Sequence, residues 1–264
     1  MDFGSYRNYV FDLYGTLIDV RHDEGDPAVW RKLSDWYAVY GADIAPEDLH
    51  RRYLETIRLE EERIGKERGC AYPEADLLKV FLAIYENAEE KRAVPRAPQT
   101  GEEKTAWAVA TSNFFRIVTR LVLENYVGAS ALLGALKKRG KRIFLLSNAQ
   151  TSFTLPEIEV SGLLGYFDGM RLSSDHGVKK PERAFFSDMM TEYGMNARDT
   201  VLIGNDLFSD MQTAVLCGVA GVYIDSYRKS GEEISRTRGE FIARDGGEEN
   251  FLALDGIGDL IAYL

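Results

Sequence analysis

Apolar positions along this chain follow two rhythms. Short continuous apolar runs at Tyr9–Leu13, Arg142–Leu146, Thr200–Ile203 and Gly221–Ile224 are rich in Val, Ile, Leu and aromatic residues and are bounded by Gly, Asn or Asp. Such runs predict fully buried strands. Helical periodicity fills the intervals: Ala131–Arg139 leads up to the second strand, Pro181–Tyr193 precedes the third, and Leu207–Leu216 separates the third from the fourth. Strands alternating with helices through short loops predict right-handed crossovers and a parallel sheet covered on both faces, a doubly wound α/β core. The stretch Ser226 to Gly247, ahead of a last apolar run at Phe251–Leu254, reads as a surface excursion.

From Asp19 to Tyr126 the alternation stops, and four helical patterns follow one another with no strand pattern between them. The first has Asp26 as N-cap, Pro27 at the first helical position, and Trp30, Leu33, Trp36, Tyr37 and Tyr40 along one face. The second opens at Pro46 and carries Leu49, Tyr53 and Ile57. Leu77, Leu78, Phe81, Leu82 and Tyr85 mark the third, and Trp107, Phe114, Val118, Leu121 and Val122 the fourth, with Arg92–Lys104 as a loop between them. Residues 19–126 are therefore expected to form an α-helical cap inserted into a core made of 1–18 and 127–264. Aromatic stripes at this spacing are expected to be helix packing rather than a ligand box.

With 45% apolar and 11% aromatic residues, 264 residues can bury one sizeable core and a smaller satellite. The formal charge of −10 disfavours nonspecific attraction to nucleic acid or anionic lipid, so a small-molecule partner is expected. No window approaches the ~20 apolar residues of a membrane span, and the first residues show no basic segment leading into a long apolar stretch. Cys70 and Cys217 are the only cysteines and have no metal-like spacing, which suits a reducing, cytoplasmic setting. Oligomeric state is not readable.

The chemistry lies at the carboxyl ends of the predicted strands, where open α/β sheets bind ligands. Asp12 ends the first strand and leads into Tyr14, Gly15 and Thr16; Ser147 and Asn148 end the second; Lys179 and Lys180 precede Pro181; and Gly204, Asn205 and Asp206, with Asp210, end the third. Each piece alone has an ordinary structural reading as a turn, a cap or a solvated helix start.

In this order the segments resemble the four motifs of the haloacid dehalogenase superfamily, and Arg142–Phe186 resembles its subgroup with a helical cap between motifs one and two. The resemblance implies a Rossmann-like core and a hydrolase in which Asp12 is the nucleophile and Lys180, directly before the proline, supplies positive charge. Thr16, Ser147 and Asn148 would bind the substrate, together with Tyr14. It also implies a Mg²⁺ ion held by Asp12, the backbone carbonyl of Tyr14, Asp206 and Asp210, with a small anionic, phosphorylated substrate. On the bland reading Asp206 is a helix N-cap and Asp210 a first-turn acid; opposite Asp12 and Lys180, metal binding is the expectation.

The sequence departs from the phosphatases of that family at Tyr14, where a second aspartate normally acts as general acid and base. An unperturbed tyrosine titrates near 10 and is a poor proton donor at neutral pH, and loss of general acid–base catalysis typically costs about 10² to 10⁴ in rate. Tyrosine at this place resembles the haloacid dehalogenases, in which halide leaves carbon without a proton and no metal is needed. Three expectations therefore stand: a Mg²⁺-dependent phosphatase favouring good leaving groups, a metal-independent 2-haloacid dehalogenase, and a noncatalytic ligand-binding module.

Overall fold

In chain order the elements are β1 (Asn8–Phe11), β2 (Ile18–His22), α1 (Pro27–Val39), α2 (Pro46–Arg68), α3 (Leu77–Glu86), α4 (Gly101–Thr119), β3 (Arg120–Asn125), α5 (Ala129–Lys138), β4 (Arg142–Ser147), α6 (Thr151–Val160), β5 (Gly169–Leu172), α7 (Ser173–His176), α8 (Arg183–Glu192), β6 (Thr200–Gly204), α9 (Gln212–Cys217), β7 (Ala220–Ile224) and β8 (Phe251–Leu254). The computed structural model describes residues 3–89, 91–226, 229–236, 239 and 251–264. Most of the Ser226–Gly247 excursion lies outside the described residues.

Six strands form one parallel sheet in the order β5-β4-β1-β6-β7-β8. Strand β1 sits between β4 and β6, with Val10 opposite both Phe144 and Leu202. The chain winds outward from β1 first through β4 and β5, then through β6, β7 and β8. The direction of winding reverses at β1, and such a switch point opens a crevice at the carboxyl ends of the strands.

Both faces of the sheet are buried, as the unbroken apolar runs require. Tyr9, Phe11, Ile143 and Leu145 pack with Leu132, Leu133 and Leu136 of α5, whereas Val10, Phe144 and Leu146 pack with Phe185, Phe186 and Met189 of α8. At about 25 cal/mol per Å² of apolar surface, each such large side chain contributes roughly 1.5–3 kcal/mol.

Helices α1 to α4 bury a separate cluster that includes Trp30, Tyr37, Tyr53, Phe81, Trp107 and Phe115. The aromatic stripes are thus mainly helix packing, with Trp30, Tyr53 and Phe81 each also near Phe115 at ring distances of 5.7, 5.3 and 5.4 Å. Asp26 caps α1 by accepting the Ala28 N–H, and α4 starts at Gly101 behind a capping box of Thr100 and Glu103, inside the stretch expected to be loop.

Four elements depart from the sequence expectation. Residues 19–126 are not all helical: β2 and β3 pair antiparallel where the chain leaves the core and returns to it, so Leu121 and Val122 belong to a strand rather than to the fourth helix. Backbone groups at that crossing need partners, and the outgoing and returning segments supply them to each other. Strand β5 and helix α6 went unseen because β5 has only four residues and α6 carries Pro156 without a clear apolar face. No helix among the described residues is long and apolar enough to cross a membrane.

Candidate active site

Asp12 directly follows β1, and its N–H donates to the Ile203 carbonyl at 2.8 Å, extending the β1–β6 ladder by one residue. Its carboxylate is therefore delivered to the switch point on a rigid strand end. The following turn needs Gly15: its φ is +81°, and a Cβ there would lie 2.2 Å from the Asn205 amide nitrogen. That close approach brings Thr16 and Asn205 together, with the Thr16 Oγ1 3.2 Å from the Asn205 Oδ1 and 3.4 Å from the Asp12 Oδ2.

The two oxygens of Asp12 differ. Oδ1 accepts from the Lys180 Nζ at 2.6 Å and from the Ser147 Oγ at 3.0 Å, while among the described residues Oδ2 has only the long Thr16 contact. A hydroxyl has one hydrogen to donate, and the shorter distance favours Asn205 as its acceptor. Oδ2 thus keeps its lone pairs.

Lys180 is fully buried and its three ammonium hydrogens meet three acceptors: Asp12 Oδ1 at 2.6 Å, Asp210 Oδ1 at 2.6 Å and the Leu146 carbonyl at 2.8 Å. Burial works to lower its pKa, but the two carboxylates outweigh burial and raise it. Burial likewise pushes the Asp210 carboxyl up, with Asp12 adding to the effect and Lys180 opposing it. Asn148 fixes the lysine from the backbone side, accepting the Lys180 N–H at 2.7 Å and donating to its carbonyl at 3.0 Å. Gly204 makes room for Asp210, because a Cβ there would meet the Asp210 carboxylate at 2.2 Å.

Asp206 has the local role that its place ahead of a helical turn allows. Its Oδ1 accepts the Ser209 N–H at 2.5 Å, so it is the N-cap of the wide helical turn Leu207–Met211. Its neighbour Asn205, 4% exposed and beside Thr16, is the side chain that faces the site. A Mg²⁺ ion prefers several oxygens converging in octahedral geometry. In the expected set of Asp12, the Tyr14 carbonyl, Asp206 and Asp210, Asp206 Oδ1 is engaged in the cap and the two oxygens of Asp210 accept from Lys180 and the Asp206 N–H, so a Mg²⁺ ion there would be held through the lone pairs those bonds leave. Among the described residues no group of three or more His, Cys, Asp or Glu side chains could hold a metal ion.

Tyr14 belongs to a second charged cluster. Its hydroxyl donates to the Glu157 Oε2 and lies 3.1 Å from the Thr154 Oγ1. Burial and the adjacent Glu157 charge push its pKa well above the ordinary phenol value. Glu157, on α6, also accepts from the Arg116 Nε at 2.7 Å, the Arg116 Nη2 at 3.0 Å and the Arg120 Nη1 at 2.9 Å. Burial alone would raise the Glu157 pKa, but the bonds from Arg116, Tyr14 and Arg120 hold it below the ordinary glutamate range.

Beside this cluster opens a cleft of about 460 Å³ between the helical unit and the strand ends, lined by Tyr14, Asn148, Phe153, Arg116, Tyr53 and Lys179 among others. Asp12, 7% exposed, is not part of its lining, so the cleft opens next to the carboxylate through Tyr14 and Asn148.

Of the residues expected from sequence, Asp12, Thr16, Ser147, Asn148, Lys180 and Asp210 are brought together, while Tyr14 and Asp206 turn to other partners. Sequence reading missed Asn205, Glu157 and Arg116. Asn205 had a signal in its place directly after Gly204; Glu157 and Arg116 had none, since they are 41 residues apart on helices whose contact is tertiary.

Comparison with known proteins gives phosphatases by sequence and both phosphatases and dehalogenases by shape. A phosphoserine phosphatase of Thermus thermophilus is 28% identical over 112 residues, 42% of this chain and 44% of its own. A phosphoglycolate phosphatase of Nitrosospira multiformis is 26% identical over 146 residues, 55% and 52%. The chain thus spans about half the length of the curated relatives it matches. A 2-haloacid dehalogenase of Pseudomonas syringae pv. tomato superposes with a TM-score of 0.62 over 98% of this chain and 97% of its own at 17% identity, which establishes a shared fold. The family model of the haloacid dehalogenase-like hydrolases matches residues 6–218, and the chain belongs to that family.

Proposed function

We propose that the protein is a hydrolase in which Asp12 attacks a small anionic substrate, with residues 19–126 as the cap over the strand ends and the cytoplasm as its setting. The attacking atom is Oδ2, the oxygen left without a strong hydrogen bond. It forms a bond to phosphorus as the bond from phosphorus to the leaving oxygen breaks, and the electron pair departs with the leaving group. Water then attacks the aspartyl phosphate, releasing phosphate and restoring Asp12. Splitting one displacement into two easier steps is the general gain of a covalent nucleophile. Lys180 holds Asp12 and Asp210 together, and Ser147 and Asn148 fix the geometry that makes attack productive.

The observation that carries the substrate preference is the commitment of the Tyr14 hydroxyl to Glu157. With that phenol withdrawn, the leaving group departs without a proton from the position two residues after the nucleophile, which favours acyl or aryl phosphates over alkyl phosphates. The phosphatase relatives support phosphorus as the centre attacked. A second reading, displacement of halide from a 2-haloacid, is favoured by one specific observation: Lys180 lies between Asp12 and Asp210, and Asp206 is a cap, so the site carries its cation in the chain itself.

The test is phosphate release from acetyl phosphate and para-nitrophenyl phosphate, and halide release from 2-chloropropionate, each with Mg²⁺ and with chelator. Asp12→Asn is expected to lower turnover at least about 10³-fold; full activity in that variant would remove Asp12 as nucleophile. Loss of phosphatase activity in chelator would assign a divalent cation to the carboxylates at the strand ends.

A further inference from the structure

We infer that Arg116 is a substrate-binding residue whose guanidinium takes a carboxylate carried by the substrate close to its reacting centre. This rests on the reading that the reacting group sits at Asp12. Arg116 differs from the arginines of α2: Arg51, Arg58 and Arg63 pair with glutamates or aspartates on an exposed surface, whereas the Arg116 side chain is 8% exposed and borders the cleft. Its Nε and Nη2 are pinned by Glu157, and its Cζ lies 5.2 Å from the Tyr14 ring centroid and 4.7 Å from that of Phe153. A fork held on one edge and stacked on two rings has already lost its rotamer freedom, so binding a planar anion costs little further ordering.

Charge selects the same place. Arg116 and Arg120 share the single carboxylate of Glu157, which leaves the cluster one positive charge in excess. Lys179, the lysine of the cleft wall, is matched by Glu61 at 2.8 Å and Glu74 at 3.8 Å. Glu24 adds a further negative charge to the lining. An anionic group is therefore attracted to Arg116 beside Tyr14 and repelled by Glu24, Glu61 and Glu74. The Arg116 Cζ lies 5.2 Å from the ring of Tyr14, a residue of the turn that follows Asp12, so the substrate class is a compact one, with its carboxylate close to the phosphorus or carbon attacked.

The experiment compares binding of phosphonoacetate and methylphosphonate, which share a phosphonate and differ in the carboxylate, by calorimetry on wild-type protein, Asp12→Asn, Arg116→Met and Arg116→Lys. Wild type and Asp12→Asn should bind phosphonoacetate about 10- to 100-fold more tightly, the span of one charge-assisted hydrogen-bond pair. Arg116→Met should bring the ratio close to one, and Arg116→Lys should keep only part of it. A ratio near one in wild type, including no binding of either ligand, overturns the inference, as does a ratio that persists in Arg116→Met. The wild-type ratio decides even if Arg116→Met fails to fold. If the ratio holds and no substrate is turned over, the hydrolase reading fails while the carboxylate site stands.

Discussion

The two buried charge clusters beside β1 are built in opposite ways. At the strand ends one ammonium, Lys180, serves two carboxylates, and Asp12 retains an oxygen with nothing closer than a 3.4 Å contact. Between α6 and the helical unit one carboxylate, Glu157, receives four hydrogen bonds from two arginines and a tyrosine. Saturation makes Glu157 a structural anchor, since every acceptor position is filled. The incomplete saturation of Asp12 leaves lone pairs free for attack, at the cost of holding two carboxylates on one cation. Tyr14 links the two, because it belongs to the turn after Asp12 by sequence and to the anchor by its hydrogen bond.

The sharpest way to break this contrast is Lys180→Met. Removing the ammonium leaves Asp12 and Asp210 buried without a cation between them, and breaking a buried pair in this way costs about 3–5 kcal/mol. Urea unfolding at neutral pH should show that loss together with the disappearance of turnover; a variant as stable as wild type would mean that the strand ends tolerate bare carboxylates.

Glu157→Gln tests the anchor. It leaves Arg116 and Arg120 without their anion and should cost about 2–4 kcal/mol. The Glu157 pKa is held below its unfolded value, so its contribution is complete above the unfolded pKa and is lost as pH falls through the folded one. The gap in unfolding midpoint between wild type and Glu157→Gln should therefore be constant above about pH 5.5 and narrow below about pH 4. A gap that widens on acidification would show that Glu157 is not stabilised as the carboxylate.

Tyr14→Phe has the smallest expected effect. It removes one donor from Glu157, costing about 1–2 kcal/mol, and should leave kcat on an aryl phosphate within about threefold because the phenol moves no proton in the reaction. A fall of 10²-fold or more would restore Tyr14 as an acid or base and undo the separation between the clusters.

Much of the first cluster was legible in the sequence. Asp12 follows and Ser147 ends a strand, and Lys180 lies ahead of a helix, in elements whose apolar runs and proline punctuation fix where strands end and helices begin. Asp206 and Asp210 were equally visible, but their directions were not: four residues apart across a wide helical turn, one caps the turn and the other folds back through the space left by Gly204. The second cluster left no linear trace. Arg116 read as a polar position on an amphipathic helix, and Glu157 lay on a helix that Pro156 disguised.

The sequence by itself determined the parallel sheet, the interrupting helical unit and the place of Asp12 after the first strand, because burial periodicity and turn chemistry act over a few residues. Only the tertiary structure decided which oxygen of Asp12 carries the Lys180 and Ser147 bonds, that Asn205 lies against Thr16 while Asp206 caps a turn, and that Tyr14 is held by Glu157. Those outcomes depend on hydrogen-bond partners up to 189 residues apart, and competition among such partners is resolved by the packing of whole elements rather than by local propensity.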